Sequence, residues 1–166
     1  GALVLVAASG FGAAALLVAL RAGTAGLGGY VFVAGASVLT GAIGLGIGAL
    51  LGILLRGGSA AVGWALAVWF FFAVLFDLAL IGGMQVLGDG QPGLGVAAAL
   101  ALNPIDALRA LALVQLDAEV LLGAAGATLM GAFGRGAGLA ILLTAVTAWL
   151  VVPGALAAAA FARRDL

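Results

Sequence analysis

Charged residues divide the chain into long uncharged runs, and each run has the length of a membrane crossing. Gly1 to Leu20 carries no charge and ends at Arg21, and Ala22 to Leu55 is a second such run, closed by Arg56. Gly57 to Phe76 follows, and beyond Asp77 the apolar character continues through Leu78–Leu87. Gly136 to Ala162 is the last run, closed by Arg163 and Arg164. Each supplies the roughly 20 apolar residues that cross a hydrocarbon core of about 30 Å as a helix. In lipid the backbone must be hydrogen-bonded within the protein, and Ala/Leu-rich runs without period-two alternation predict helices rather than a barrel. The expected fold is all-α transmembrane, a single domain over residues 1–166 with about four membrane-spanning helices. These are placed at about 2–20, 30–55, 60–84 and 137–162.

The second run is longer than one crossing needs. Thr24, Gly26, Gly28 and Gly29 predict a turn, so the second span is expected to begin near Tyr30, an aromatic suited to the membrane interface. The stretch from about 85 to 135 reads differently. Gly88-Asp89-Gly90-Gln91-Pro92-Gly93 signals a turn. The apolar runs after it, Val96–Leu102, Ala110–Val114 and Val120–Gly134, are short. Short external or re-entrant helices between the last two spans are expected there.

Composition fixes the solvent. Hydrophobic residues make up 66% of the 166, charged residues 7%, and mean hydropathy is +1.39. Soluble domains have about 45–50% apolar and about 25% charged residues, so lipid must solvate part of this exterior. Six Arg balance six Asp or Glu, which leaves no basic field to hold nucleic acid. With neither Cys nor His, disulfides, Cys/His metal sites and Ser-His or Cys-His catalysis are excluded within this chain. A Walker A motif needs a Lys, and there is none. Asp77 and Asp89 could suggest an intramembrane aspartyl protease, but Val86 stands where that family's Gly-x-Gly-Asp signature needs glycine. No enzyme and no cofactor of its own is expected. The chain enters its first apolar run directly, without the basic n-region of a signal peptide, and is expected to be part of a longer protein. Four crossings put both ends on one side. If that side is cytoplasmic, Arg56, Arg163 and Arg164 lie inside against Arg21 and Arg135 outside, a small positive-inside bias.

Few positions carry candidate chemistry. Ala36, Thr40, Gly44, Gly48 and Gly52 repeat at i+4, one helix face on which a neighbour can approach closely. Packing within the chain and an interface to a subunit or pathway both fit. Asn103-Pro104-Ile105-Asp106 reads as a helix start: Asn at the N-cap, Pro at N1, Asp near the positive helix end. Arg109 follows Asp106 at i+3, close enough to pair. Asp77, about 26 Å along a helix starting near Ala60, lies near the outer interface, with Arg109 or Arg135 as available cations. Trp64, Trp69, Phe70, Phe71 and Phe72 suit lipid contact or packing, and Asp117 and Glu119 suit a helix N-terminus before Val120.

Three pieces in order carry a resemblance. They are Trp69-Phe70-Phe71-Phe72-Ala73-Val74-Leu75-Phe76-Asp77, Leu102-Asn103-Pro104-Ile105-Asp106-Ala107-Leu108-Arg109, and a last span ending Phe161-Ala162-Arg163-Arg164-Asp165-Leu166. Together they resemble ABC-2 type transporter permeases, most closely the NosY-like permeases that serve nitrous oxide reductase maturation. The resemblance implies a six-span subunit of the bacterial inner membrane that forms a homodimer on two cytoplasmic ATPase subunits. ATP would be bound by those partners, and this chain would supply spans three to six. It also implies contact with a periplasmic copper-handling protein. Arg56-Gly57-Gly58-Ser59 would be a secondary contact to the ATPase, the main coupling helix lying upstream. With only Met84 and Met130 as soft ligands, conformational coupling is expected over copper carriage. Asp77, Asn103, Asp106 and Arg109 are the expected substrate-path or coupling residues. Export of an unrelated drug, lipid or polymer, and a non-transport membrane scaffold, remain as alternatives.

Overall fold

The computed structural model describes residues 2–55, 58–79, 82, 92–117 and 123–163, and these are helical apart from short turns. Two compact units divide them, residues 1–38 and 39–166. α1 runs Ala2–Leu55 and breaks at Gly23, whose φ of 64° is open to glycine at little cost. In a straight helix Phe11 and Tyr30 would lie about 28 Å apart. Instead the Tyr30 hydroxyl donates to the Phe11 carbonyl at 2.6 Å, so the chain reverses at Gly23. The turn expected over residues 24–29 is thus a single residue, and helix resumes at once. Gly26 lets the two arms meet, since a Cβ there would stand 2.6 Å from Ala22 Cβ.

α2, Gly58–Ala79, is one helix with a π turn at Phe71–Leu75. α3, Pro92–Leu102, and α4, Pro104–Gln115, meet at Asn103 with a bend of 113°. α5, Gly123–Ala162, breaks at Gly134 (φ 73°, ψ 164°). A Cβ on Gly138 would lie 3.0 Å from Met130 Cε, whereas eight residues of straight helix separate positions by about 12 Å. The residues before Gly134 therefore fold back on those after it, as a short helix leading into the last long one.

Three of these helices, Gly26–Leu55, Gly58–Ala79 and Ala125–Ala162, are long and apolar enough to cross a membrane. The count is four when the bent pair α3–α4 is taken as one broken span. The fold is all-α and transmembrane, and the bent pair forms an elbow between the last two long helices. Buried side chains gather beneath that elbow: Val96 and Leu100 of α3, Ala107, Leu111 and Val114 of α4, and Leu129, Leu142 and Val146 of α5. Elsewhere large apolar groups face outward. Leu45, Leu66 and Trp64 are each more than half exposed, which suits lipid or further protein.

Gly134 permits a direct test. A Cβ there meets nothing within 4 Å, so substitution acts through the backbone alone. Its φ/ψ belongs to the region open essentially to glycine. Gly134→Ala is expected to lower stability by about 1–3 kcal/mol. Gly136→Ala, in open space on the regular helix, is expected to leave it unchanged or raise it by up to about 1 kcal/mol. Thermal unfolding in detergent compares the two, and equal melting temperatures would contradict the reversal at Gly134.

Candidate functional site: a polar cluster at the elbow

The elbow is built from the sequence Asn103-Pro104. Proline pushes the residue before it out of the α region, and Asn103 is extended, with φ −107° and ψ 111°. Pro104 then starts α4 where no amide donor is required. Asn103 is fully buried, and its side chain uses its whole hydrogen-bonding capacity. Oδ1 accepts from the Ile105 and Asp106 amides at 3.0 and 3.5 Å. Nδ2 donates to Asp106 Oδ2 at 2.6 Å and to the Phe72 carbonyl at 2.8 Å.

That last acceptor exists because of the π turn. In an α-helix the Phe76 amide would bond to the Phe72 carbonyl. Here it bonds to the Phe71 carbonyl instead, and Asn103 supplies the missing donor across 31 residues. The aromatic ring of Phe72 packs edge-on against Trp149 of α5 at 5.3 Å. Trp149 Nε1 donates to the Ala101 carbonyl at 2.9 Å, so both sides of the elbow are pinned.

Charge completes the cluster. Arg109 Nη2 lies 2.9 Å from Asp106 Oδ1, and Arg109 Nη1 lies 3.9 Å from Asp77 Oδ2. The Asp106 side chain is 4% exposed, against 57% for Arg109 and 38% for Asp77. The expensive charge is therefore Asp106, and it is held by one cation and one amide. Asp77, Asn103, Asp106 and Arg109, separated by up to 32 positions in sequence, stand together and join α2 to α4. Of the two cations open to Asp77, Arg109 takes it. Arg135 bonds the Val114 carbonyl at 2.8 Å and Asp117 at 2.6 Å.

Three features could not be found from sequence spacing. The π turn has no signature among Phe71–Leu75, and the Trp149–Ala101 link depends on tertiary placement. Asp117, expected at the start of a helix, closes α4 instead: its φ is 52° and its amide bonds the Val114 carbonyl at 3.3 Å. Glu119 lies outside the described residues, as do Arg56, Gly57, Met84, Asp89, Arg164 and Asp165. On the small-residue face, Gly44, Gly48 and Gly52 each look onto open space. Among the described glycines between Tyr30 and Leu55, the one that packs against another helix is Gly46, whose Cβ position lies 3.5 Å from the Gly154 amide nitrogen and from Pro153 Cβ.

A protein from Stutzerimonas stutzeri, "Probable ABC transporter permease protein NosY", is 36% identical over 165 residues. The alignment covers 93% of this chain and 56% of the relative. A Pseudomonas aeruginosa protein of the same name is 36% identical over 163 residues, 95% of this chain and 57% of that protein. The chain is thus similar to NosY-like ABC transporter permeases over nearly its whole length. It spans a little over half the length of these curated relatives. No protein-family model matches the chain. Together with the long apolar helices, this similarity gives the polar cluster its setting, a multi-pass membrane protein.

Proposed function

We propose that this chain is the membrane-spanning part of an inner-membrane permease that couples ATP hydrolysis by a partner ATPase to periplasmic maturation of nitrous oxide reductase. The observation that carries the reading is the 36% identity to two NosY proteins over more than nine-tenths of the chain. The polar cluster supports the coupling role. It ties a membrane-spanning helix to a bent pair of helices through one buried amide and one ion-paired carboxylate, an arrangement that transmits movement between them. The permease acts as a homodimer on two cytoplasmic ATPase subunits and meets a copper-handling protein on the far side. Catalysis and ATP binding belong to the partners. Within this chain Asp77, Asn103, Asp106 and Arg109 couple the spans to the elbow.

A second reading, export of an apolar compound, draws on an open groove of about 630 Å³ along α5. Ala101, Ile141, Thr144, Trp149, Val152 and Pro153 line it. Its two polar side chains are already engaged, Thr144 with the Ala140 carbonyl and Trp149 with the Ala101 carbonyl, so only apolar contact is on offer.

One experiment separates the readings. The protein carrying this chain is expressed in a denitrifying bacterium deleted for its own NosY-like permease, and nitrous oxide reductase is purified from it. The proposal expects an ATPase to co-purify with the permease and the reductase to regain its copper-site absorption. ATPase association without copper-site recovery would favour the exporter, and failure to hold any ATPase would leave a membrane scaffold.

A further inference from the structure

We infer that the π turn of α2 is a register switch latched by Asn103: when Asn103 releases the Phe72 carbonyl, the turn relaxes to α-helix and the arm Gly58–Phe70 rotates about its axis while Asp77 stays beside Arg109. This goes beyond the transporter assignment and needs neither the ATPase nor a substrate to be true.

Two observations meet at one carbonyl. The Phe76 amide, which would bond the Phe72 carbonyl in a regular helix, is displaced by one residue onto Phe71. The displaced acceptor is met by a buried side-chain amide from another element, at 2.8 Å. Two donors thus compete for Phe72 O, and exchanging one for the other keeps that carbonyl bonded. A π turn holds one residue more than the α-helix around it. Losing it without shortening the chain therefore shifts one side by one residue, about 100° of rotation and about 1.5 Å of rise. The downstream end is restrained, because Asp77 lies 3.9 Å from Arg109 and Arg109 is itself paired with Asp106. Rotation then falls on the upstream arm. That arm has few restraints, since no residue of Gly58–Phe70 is buried. A cavity of about 60 Å³ lies beside Trp69 and Phe72, bounded by Thr40, Gly44, Pro104 and Ile105.

The same geometry gives the switch its input. Asn103 is the bend residue of the elbow. A motion that straightens the 113° bend between α3 and α4 shifts Asn103 and draws its Nδ2 away from Phe72. A movement at the elbow is converted into rotation of half a span, and rotation of that half pulls on the elbow.

Spin labels test this in lipid nanodiscs. This chain has no cysteine, so with any cysteine outside it replaced, introduced pairs report on it alone. Val62→Cys with Val151→Cys reads the upstream arm against α5, and Leu78→Cys with Val151→Cys reads the downstream end; all three positions are more than half exposed. Asn103→Ser keeps a helix cap but is too short to reach Phe72. It is expected to move the first distance by on the order of 5 Å and leave the second unchanged. Deleting Ala73 as well removes the extra residue of the π turn, so the first distance should return to its original value. The inference is overturned if Asn103→Ser leaves the first distance unchanged, if both distances move together, or if the deletion fails to restore the first. Should Asn103→Ser not fold, deletion of Ala73 alone decides: both original distances are expected, and a shift in either would overturn the switch.

Discussion

Arg109→Leu is expected to destabilise the protein by about 2–3 kcal/mol, and Asp106→Asn introduced beside it should recover most of that loss. Removing one partner of a buried ion pair costs about 3–5 kcal/mol, because the other charge is left unpaired. Here the stranded group is Asp106, 4% exposed, but Arg109 is itself more than half exposed, so water partly replaces it and the cost falls below that range. The double variant leaves a neutral amide where the carboxylate was. A thermodynamic cycle of the two singles and the double, read by thermal unfolding in detergent, reports the coupling directly. Equal losses in Arg109→Leu and the double variant would contradict the pairing. A charge swap is a poorer probe. Asp106 is enclosed by Asn103, Arg109 and the first turn of α4, where an arginine neither fits nor suits the positive helix end.

Asn103→Leu is expected to be at least as damaging, at about 3 kcal/mol. The N-cap bonds to α4 disappear, worth about 1 kcal/mol. Asp106 loses one of its two donors, and a buried polar group left unmatched costs about 1–3 kcal/mol. Asn103→Asp should be milder for the cap, since a carboxylate also accepts the Ile105 and Asp106 amides. It brings a second negative charge against Asp106, however, and loses the donor to Phe72. The expected order of melting temperature is therefore wild type, then Asn103→Ser, with Asn103→Leu lowest. A leucine variant as stable as the serine variant would show that the cap contributes little.

Much of this was legible in the chain. Three of the four uncharged runs announced the long helices because lipid imposes length and apolarity together; the first run falls on the shorter apolar helix Ser9–Gly23. Asn103-Pro104-Ile105-Asp106 announced the start of α4 because capping and the restriction before proline are local effects. Arg109 at i+3 announced its pairing with Asp106 for the same reason. The remainder depended on distance. Asp77 had two candidate cations, and only tertiary placement gave it Arg109 and sent Arg135 to Asp117. The π turn is stabilised from outside its own segment, by Asn103, so Phe71–Leu75 could not reveal it. The small-residue stripe pointed to close packing, yet i+4 spacing cannot say which face meets which helix, and the close approach falls on Gly46. Gly23 and Gly134 were two among 29 glycines. Nothing local set them apart as the points where the chain reverses.

On the proposed function, the cluster at the elbow passes motion between a partner ATPase and the far side of the membrane. Asp77→Asn tests it most directly, because Asp77 is partly exposed and its pair with Arg109 is long, so the variant should fold. The quantity to measure is nitrous oxide reductase copper-site formation per ATP hydrolysed by the assembled transporter. Hydrolysis is expected to continue while copper-site formation per ATP falls several-fold; an unchanged ratio, whether both activities persist or both decline in step, would contradict a coupling role for the cluster.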